Sequence, residues 1–213
     1  MRLEGLYAIT PDWQDTPRLL RATAAILRGS CRMLQYRNKS AAAGLRSEQA
    51  LALRRLCTEA DCLFLVNDDP ELALAVEADG VHLGADDGDL AAARRRLGNR
   101  RILGASCYRS LDLARAAVAA GADYVAFGSF FPSPSKPHAP RAEPSILAAA
   151  RAELPVSVAA IGGITAESGA ALVAAGARML AVISALYEAP DPAAAAQAFS
   201  PLFADISERT PAP

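Results

Sequence analysis

Short apolar segments alternate along the whole chain with longer segments that mix alanine and leucine with charged residues. The first apolar segment, Gly5 to Ile9, predicts a strand, and a helix is predicted over about 16–28. Further strands are predicted at 33–36, 62–66, 80–83, 101–105, 123–127, 156–161 and 178–183, with helices near 47–59, 70–77, 89–97, 111–120, 145–153, 166–175 and 193–203. Several helices end in alanine followed by glycine or aspartate, which is typical of a capped helix, a short loop and a buried strand.

This alternation implies a parallel sheet with right-handed crossover connections. An open doubly wound sheet and a (β/α)8 barrel both accommodate such a series of units. The doubly wound sheet normally has a G-x-G-x-x-G fingerprint after its first strand, and this chain has AITPDW there. We therefore predict an α/β protein with a single (β/α)8 TIM-barrel domain over residues 1–213 and a short disordered tail from about residue 207.

The composition excludes several classes of function. The 213 residues have a formal net charge of −1, which gives no general electrostatic attraction to nucleic acid or an anionic membrane. No apolar run approaches the roughly 20 residues of a membrane-spanning helix, and the first residues lack a signal-peptide core. The four cysteines form no C-x-x-C pair, so a zinc site is not expected. We expect a cytoplasmic protein with reduced thiols and small-molecule partners, and the sequence leaves a homo-oligomer open.

Polar residues cluster where the predicted strands end. In (β/α)8 barrels the chemistry takes place at this carboxyl end of the strands. Strands two to five are followed by a series of such residues: Gln35, Arg37 and Lys39; Asn67, Asp68 and Asp69; Asp86 and Asp87; and Ser106.

The loop after strand six has the composition of an anion-binding loop. Its residues include Ser133, Pro134, Ser135 and Lys136. Serine hydroxyls and backbone N–H groups donate hydrogen bonds to phosphate oxygens, and the lysine adds a positive charge. An ordinary surface turn remains the alternative interpretation.

Strands seven and eight are followed by Gly162-Gly163 and by Ile183-Ser184, each at the start of a helix. Free N–H groups and the helix dipole favour phosphate at such a position. For the glycine pair by itself, a tight turn is the alternative.

The charges at this mouth predict a metal ion. Arg37, Lys39 and Lys136 attract phosphate, whereas Asp68 and Asp87 repel it by several kcal/mol at an effective dielectric constant of about 20. Mg²⁺ is typically held by one or two carboxylates together with substrate phosphate oxygens. We therefore expect one Mg²⁺ ion on these two aspartates, with a helix-capping role as the alternative for each.

Three other residues have less specific predictions. We expect His82, which lies inside a strand, to be a core histidine with its hydrogen bonds satisfied. Trp13 and Tyr108 lie in predicted loops, where facing a substrate ring and packing against the protein are equally compatible with the sequence.

The motifs QYRNK, NDD, VHLGADD, GAS, FPSPSK, IGGI and VISA occur in that order, and with them the chain resembles the thiamine-phosphate synthase family. The resemblance extends over nearly the whole barrel. It implies a (β/α)8-barrel transferase that joins 4-amino-2-methyl-5-pyrimidinylmethyl diphosphate to a thiazole ethyl phosphate, with Mg²⁺ as cofactor. Diphosphate and thiamine phosphate are the products.

The resemblance also implies roles for individual residues. The pyrimidine diphosphate site corresponds to Gln35, Tyr36, Arg37, Asn38, Lys39, Asn67, Ser106 and Lys136, and the Mg²⁺ ligands correspond to Asp68 and Asp87. The thiazole phosphate site corresponds to Ser133, Pro134, Ser135, Gly163, Ile183 and Ser184. Catalytic roles are implied for Arg37, Lys39, Lys136 and Ser106.

The chain departs from the family pattern in three places. Serine stands at 133 and 135 where threonine is frequent, Cys107-Tyr108 replaces a small residue and histidine, and the segment 137–144 is rich in proline. Two alternatives to the synthase remain. One is a related thiazole tautomerase, whose histidine would correspond to Tyr108, and the other is a phosphate-binding barrel without catalytic activity.

Overall fold

The computed structural model describes residues 3–84, 88–132 and 140–206. Eight parallel strands form a closed barrel in which each strand pairs with its neighbours in sequence and the eighth pairs with the first. The strands are β1 (Gly5–Ile9), β2 (Cys31–Tyr36), β3 (Leu63–Asn67), β4 (Gly80–Leu83), β5 (Ile102–Tyr108), β6 (Tyr124–Phe127), β7 (Ser157–Ile161) and β8 (Met179–Val182). The predicted (β/α)8 barrel is confirmed.

Helices follow the strands and surround the barrel. They are α1 (Thr16–Arg28), α2 (Ala43–Glu59), α3 (Pro70–Ala75), α4 (Leu90–Leu97), α5 (Leu111–Ala119), α6 (Ser145–Glu153), α7 (Ala166–Ala174), α8 (Ser184–Tyr187) and α9 (Pro192–Gln197), and a 3₁₀ segment covers Ser200–Ile206. Among the residues described, no helix has the length and apolar character needed to cross a membrane.

Two helical regions differ from the sequence prediction. Helix α2 begins at Ala43, four residues before the predicted start at Ser47, and its N-cap residue has no side-chain capping bond. The sequence predicts one helix over about 193–203 after β8, but the structure has α8, α9 and the 3₁₀ segment there. Asp191 caps α9 with Pro192 in its first turn, and Pro201 disfavours the α conformation of the residue before it.

Side chains fill the barrel interior below the mouth. The lower part contains apolar residues such as Leu3, Met33, Leu65, Ile102 and Met179, all buried. A second apolar layer lies between the outside of the barrel and the helices. The lower barrel interior is therefore a packed core, and the cavity that holds the candidate site opens at the upper end.

Two aspartates clamp the amino-terminal end of the barrel in the same way. Asp79, just before β4, accepts hydrogen bonds through Oδ2 from the Phe64 N–H (2.8 Å) and from Arg54 (2.9 Å). Asp123, just before β6, binds the Leu103 N–H (2.7 Å) and Arg94 (2.5 Å) through its Oδ2. Each carboxylate thus joins the start of one strand to its neighbour and to an outer helix.

Candidate active site

A cavity of about 690 Å³ opens at the carboxyl ends of the strands. Residues from the ends of most strands and from the loops that follow them form its wall, as expected for a (β/α)8 barrel. Nine of the residues predicted from the sequence line it: Gln35, Arg37, Lys39, Asn67, Asp68, Ser106, Gly163, Ile183 and Ser184. The predictions for Ser133, Pro134, Ser135, Lys136 and Asp87 fall outside the described residues.

Tyr36 and Asn38 are buried but are not part of the cavity wall. The Tyr36 hydroxyl donates to Gln49 Oε1 at 3.0 Å, on the helix side of the barrel. The Asn38 amide donates to the Trp13 carbonyl oxygen (2.9 Å) and to Gln49 (3.1 Å). Successive side chains of a strand point to opposite faces. Gln35, Arg37 and Lys39 therefore face the cavity, whereas Tyr36 and Asn38 face the helices and support the loop from that side.

Two of the cationic side chains of the pocket, Arg37 and Lys39, are held by carboxylates. Arg37 Nη1 lies 2.9 Å from both carboxylate oxygens of Asp12, in the turn after β1. Asp12 Oδ1 also accepts the backbone N–H of Lys39 at 2.8 Å. The Lys39 ammonium group lies 3.1 Å from Asp68 Oδ2. These contacts fix the β2 loop before any ligand arrives.

Asp68 is one of two described carboxylates that line the cavity, the other being Glu188, and it lies beside the cationic β2 loop. Its backbone is left-handed, with φ of 60°, and its N–H donates to the His82 carbonyl oxygen at 2.9 Å. Asn67 Nδ2 lies 2.5 Å from Asp68 Oδ2. Within residues 3–84, 88–132 and 140–206 there is no group of three or more metal-ligating side chains. One carboxylate with an amide neighbour still suits Mg²⁺, which takes most remaining ligands from water and phosphate.

Asp69, by contrast, caps helix α3. It is the N-cap of α3, and its side chain accepts the Leu72 N–H at 2.9 Å. Its other carboxylate oxygen binds Arg46. Two adjacent aspartates therefore have different environments, one at the pocket wall and one at a helix N-terminus.

The opposite side of the pocket is formed by the ends of β7 and β8. Gly162 and Gly163 have φ of 108° and 64°, and a Cβ atom on either would overlap the β6 loop at Ser129 or at the Pro132 carbonyl oxygen. Ile183 is the N-cap of α8, and Ser184 is its first residue. The first N–H groups of a helix lack partners within the helix, so this side can receive an anion at the backbone.

A chain of buried hydrogen bonds crosses the barrel beneath the cavity. Gln35 Nε2 donates to the Tyr7 hydroxyl, which lies 2.8 Å from the Tyr124 hydroxyl. The Tyr124 hydroxyl lies 2.8 Å from His82 Nδ1, and His82 Nε2 lies 2.9 Å from Ser106 Oγ. Burial raises the pKa values of Tyr7 and Tyr124 above the usual phenol value, so both stay protonated at neutral pH.

His82 therefore has the satisfied hydrogen bonds expected of a core histidine, and it also lines the cavity. Tyr7 was not identified from the sequence because it lies inside an apolar run, and the same applies to Tyr124. Asp12 was missed because it appears only as part of a turn. No local sequence signal distinguishes Tyr7 and Tyr124 from ordinary strand residues, or Asp12 from an ordinary turn residue.

The two aromatic residues predicted at loop positions have different surroundings. Tyr108 lines the cavity, is 40% exposed and follows a register shift in β5, with φ of 51°. Trp13 does not line the cavity; its ring packs edge-on against Tyr187, and the Arg18 guanidinium lies 3.8 Å from its centre. Ser106, predicted to follow β5, lies within that strand.

The closed barrel, with a cavity at the carboxyl ends of its strands where this fold carries its active sites, defines the class of protein: it is a (β/α)8 barrel with a candidate active site. Comparison with known sequences gives the family. The sequence model described as thiamine monophosphate synthase matches residues 6–186. The chain belongs to the thiamine monophosphate synthase family, as its motifs indicated.

Individual relatives agree with this assignment. The chain is 56% identical to the thiamine-phosphate synthase of Chromobacterium violaceum over 202 residues, which are 95% of this chain and 97% of that protein. It is 54% identical to the thiamine-phosphate synthase of Aromatoleum aromaticum, with the same coverage of both chains. The solved structure of thiamine phosphate pyrophosphorylase from Pyrococcus furiosus aligns with a TM-score of 0.85 at 33% identity, over 95% of this chain and 96% of that one.

Proposed function

We propose that the protein transfers the 4-amino-2-methyl-5-pyrimidinylmethyl group from its diphosphate to 4-methyl-5-(2-phosphoethyl)thiazole, forming thiamine phosphate and diphosphate. One observation carries the proposal: a single cavity has cationic side chains on one side and a glycine-rich backbone site on the other. Two phosphorylated substrates require two anion sites. A volume of about 690 Å³ lies within the range of small-molecule pockets, about 300–1,000 Å³.

The pyrimidine diphosphate lies on the β2, β3 and β5 side of the cavity. Arg37 and Lys39 bind the diphosphate oxygens, and Asn67 lies beside them on the wall. Gln35 and Ser106 hold the pyrimidine ring. Lys136 adds a further positive charge, in keeping with the family resemblance.

The thiazole phosphate lies on the opposite side, against Gly163, Ile183 and Ser184. Backbone N–H groups hold its phosphate there, and the segment Ser133 to Ser135 adds hydroxyl donors in keeping with the family resemblance. Fixing the phosphate directs the thiazole nitrogen towards the pyrimidine methylene carbon, which replaces an encounter between two free molecules with a fixed approach.

The reaction is a dissociative substitution. The bond between the methylene carbon and the diphosphate oxygen breaks, and its electron pair leaves with diphosphate. The resulting cation is delocalised into the aminopyrimidine ring, and the lone pair of the thiazole nitrogen then forms the new C–N bond. The enzyme supplies no nucleophile; Arg37 and Lys39 stabilise the charge that develops on the leaving group.

Asp68 fits a role in holding Mg²⁺, together with Asp87 from the β4 loop. A bound Mg²⁺ ion would neutralise charge on the diphosphate and thereby favour its departure. The salt bridge between Lys39 and Asp68 keeps the carboxylate at the cavity wall until then.

The remaining proposals concern partners and location. The partners are small phosphorylated molecules, and no nucleic acid or membrane is involved. All four cysteines are buried free thiols, which agrees with a reducing, cytoplasmic compartment.

The test is to incubate the purified protein with both substrates and MgCl2 and to quantify diphosphate and thiamine phosphate. We expect equal amounts of the two products, and none when either substrate is left out. Isomerisation of a thiazole substrate alone would indicate the tautomerase, and binding without turnover would indicate a phosphate-binding barrel. Either result would refute the proposal.

A pair of arginine variants links the activity to the cavity. Arg37→Ala should lower kcat by about 10²-fold, as removal of one preorganised charge donor does. Arg96 is the matched control because it pairs with Glu71 on the outer helices, away from the cavity. Arg96→Ala should retain wild-type kcat; equal losses in the two variants would point to a general charge effect instead.

A further inference from the structure

The buried chain from Gln35 through Tyr7, Tyr124 and His82 to Ser106 ends at the cavity on both sides. Its first and last members line the cavity wall, as do Tyr7 and His82, and the hydrogen bonds through Tyr124 complete the connection across the barrel. We call this chain the interior relay. Its members are consecutive hydrogen-bond partners, so the donor role of each one constrains the next.

The Gln35 amide sets the direction of the interior relay when each hydroxyl accepts one bond of the relay and donates the next. Gln35 Nε2 donates to the Tyr7 oxygen, so the Tyr7 proton is available for the Tyr124 oxygen. The Tyr124 proton is then available for His82 Nδ1. A neutral imidazole accepts at one nitrogen and donates from the other, so His82 Nε2–H donates to Ser106.

The opposite direction is also self-consistent, and it has different consequences. If the amide of Gln35 were reversed, its oxygen would accept from Tyr7, and every bond would run the other way. Ser106 would then donate to His82 and would have no proton left for a ligand. When each hydroxyl accepts one bond of the relay and donates the next, the relay thus has two arrangements, which differ in what both ends offer to the cavity.

We propose that Tyr7, Tyr124 and His82 are positioning residues that hold the interior relay in the first direction. In that direction Ser106 offers its hydroxyl proton to the bound substrate and Gln35 offers its amide oxygen. The inference rests on the proposed function in one respect: an aminopyrimidine presents a donor, its amine, next to an acceptor, a ring nitrogen. The Gln35 amide oxygen can accept from the amine, and the Ser106 hydroxyl can donate to the ring nitrogen.

The barrel is built to keep the central tyrosine in place. Gly104 of β5 pairs with Tyr124, and a Cβ atom at Gly104 would overlap the Tyr124 ring and hydroxyl. The Tyr124 ring stacks on His82 at 5.5 Å and meets the Tyr7 ring edge-on at 5.9 Å. The ring positions are therefore fixed by packing, and the hydroxyl groups determine only the direction of hydrogen bonding.

The tautomer of His82 tests the proposal without reference to activity. The chain has two histidines, so the ¹⁵N spectrum of histidine-labelled protein at pH 8 is simple, and His138→Asn assigns it. We expect a protonated Nε2 and a bare Nδ1 on His82. A protonated Nδ1, whether in the reverse tautomer or in a doubly protonated ring, would overturn the proposal even if the synthase activity is present.

Tyr124→Phe removes the relay hydroxyl and keeps the ring. Losing one directed hydrogen bond should raise KM for the pyrimidine diphosphate about five- to tenfold, with KM for the thiazole phosphate within twofold of wild type. Tyr187→Phe is the matched control because Tyr187 is also buried and its hydroxyl bonds to Thr23, outside the relay. Equal KM changes for both substrates, or none, would refute the positioning role.

A double variant separates action through Ser106 from a general effect on the barrel. If Tyr124 acts through the relay, Tyr124→Phe combined with Ser106→Ala should raise KM no more than Ser106→Ala alone. Multiplied effects would show that the two residues act independently. If wild type made no thiamine phosphate, the proposed function would fail, while the tautomer measurement would still decide the direction of the relay.

Discussion

The Asp12 carboxylate, in the loop after β1, holds the Arg37 side chain, in the loop after β2. Both of its oxygens lie 2.9 Å from Arg37 Nη1, and one also accepts the Lys39 N–H. The two side chains are partly exposed, 38% for Asp12 and 21% for Arg37, so screening by water limits their Coulomb attraction. We infer that Asp12 contributes mainly by ordering the β2 loop.

This relationship predicts different effects for two Asp12 variants. Asp12→Asn keeps an oxygen acceptor for the Lys39 N–H and should lower kcat/KM for the pyrimidine diphosphate less than about threefold. Asp12→Ala removes the acceptor and should lower it about tenfold or more, a loss comparable to one or two hydrogen bonds. Steady-state kinetics measures both. Equal losses would mean that the charge, and not the loop order, matters.

Asp68 should set the Mg²⁺ requirement, whereas its neighbour Asp69 should not. Asp68→Asn removes one charge at the cavity wall and should raise the Mg²⁺ concentration for half-maximal activity at least about tenfold. Asp69→Asn is the control because Asp69 caps α3, and asparagine is an equally good cap. An unchanged Mg²⁺ titration for Asp68→Asn would remove that residue from the metal site.

Gly163 and Gly98 have nearly the same φ, 64° and 69°, but different surroundings. Alanine at either position adds backbone strain of about 1–3 kcal/mol, because a side chain disfavours positive φ. At Gly163 the new methyl group also overlaps the Pro132 carbonyl oxygen, whereas at Gly98 it meets no atom within 4 Å. Gly163→Ala should therefore raise KM for the thiazole phosphate at least about tenfold, because the backbone must shift.

Gly98→Ala should leave that KM unchanged and lower the free energy of unfolding by about 1–3 kcal/mol, because the Gly98 ψ of −175° belongs to a region that glycine alone ordinarily adopts. Urea denaturation of both variants checks the stability, and steady-state kinetics checks KM. A normal KM in Gly163→Ala would place the phosphate elsewhere in the cavity.

Because Cys107 is buried, the free energy of unfolding should decrease at alkaline pH. Burial raises the pKa of the Cys107 thiol from 9.0 to about 12. Above pH 9 the unfolded chain loses this proton while the native protein keeps it. The stability from this group is therefore complete below pH 9 and is lost as the pH rises towards 12.

Urea denaturation at pH 8.5 and pH 10.5 measures this contribution. The free energy of unfolding of Cys107→Ala should fall less over this interval than that of wild type, by about 1–2 kcal/mol. The other buried thiols and phenols are present in both proteins, so their contributions cancel in the comparison. Parallel pH dependences would show that Cys107 ionises equally in the native and unfolded states.

The sequence predicted the fold well because the barrel is repetitive. Apolar runs, alanine-rich helices and their capping glycines recur often enough to identify the strand and helix order. The errors lie where local signals are weak: α2 starts without a capping side chain, and Pro201 divides the last helical region. These boundaries depend on packing against the barrel, which the local pattern does not report.

The site was predictable to the extent that it consists of polar residues at strand ends. Gln35, Lys39 and Asp68 could be assigned to the mouth because polar side chains directly after apolar strands are unusual. The interior relay was not predictable, because Tyr7 and Tyr124 are separated by 117 positions and each looks like an ordinary strand residue. Their hydroxyl contact is a product of barrel closure.

The clamps formed by Asp79 and Asp123 lie at the end of the barrel opposite to the cavity. They fasten β3 to β4 and β5 to β6 without using any residue of the upper loops. The residues that hold the strands together at the base are therefore different from the residues that line the cavity at the rim. Loops at the rim can be exchanged or redesigned for another reaction while the base of the scaffold keeps the same fastenings.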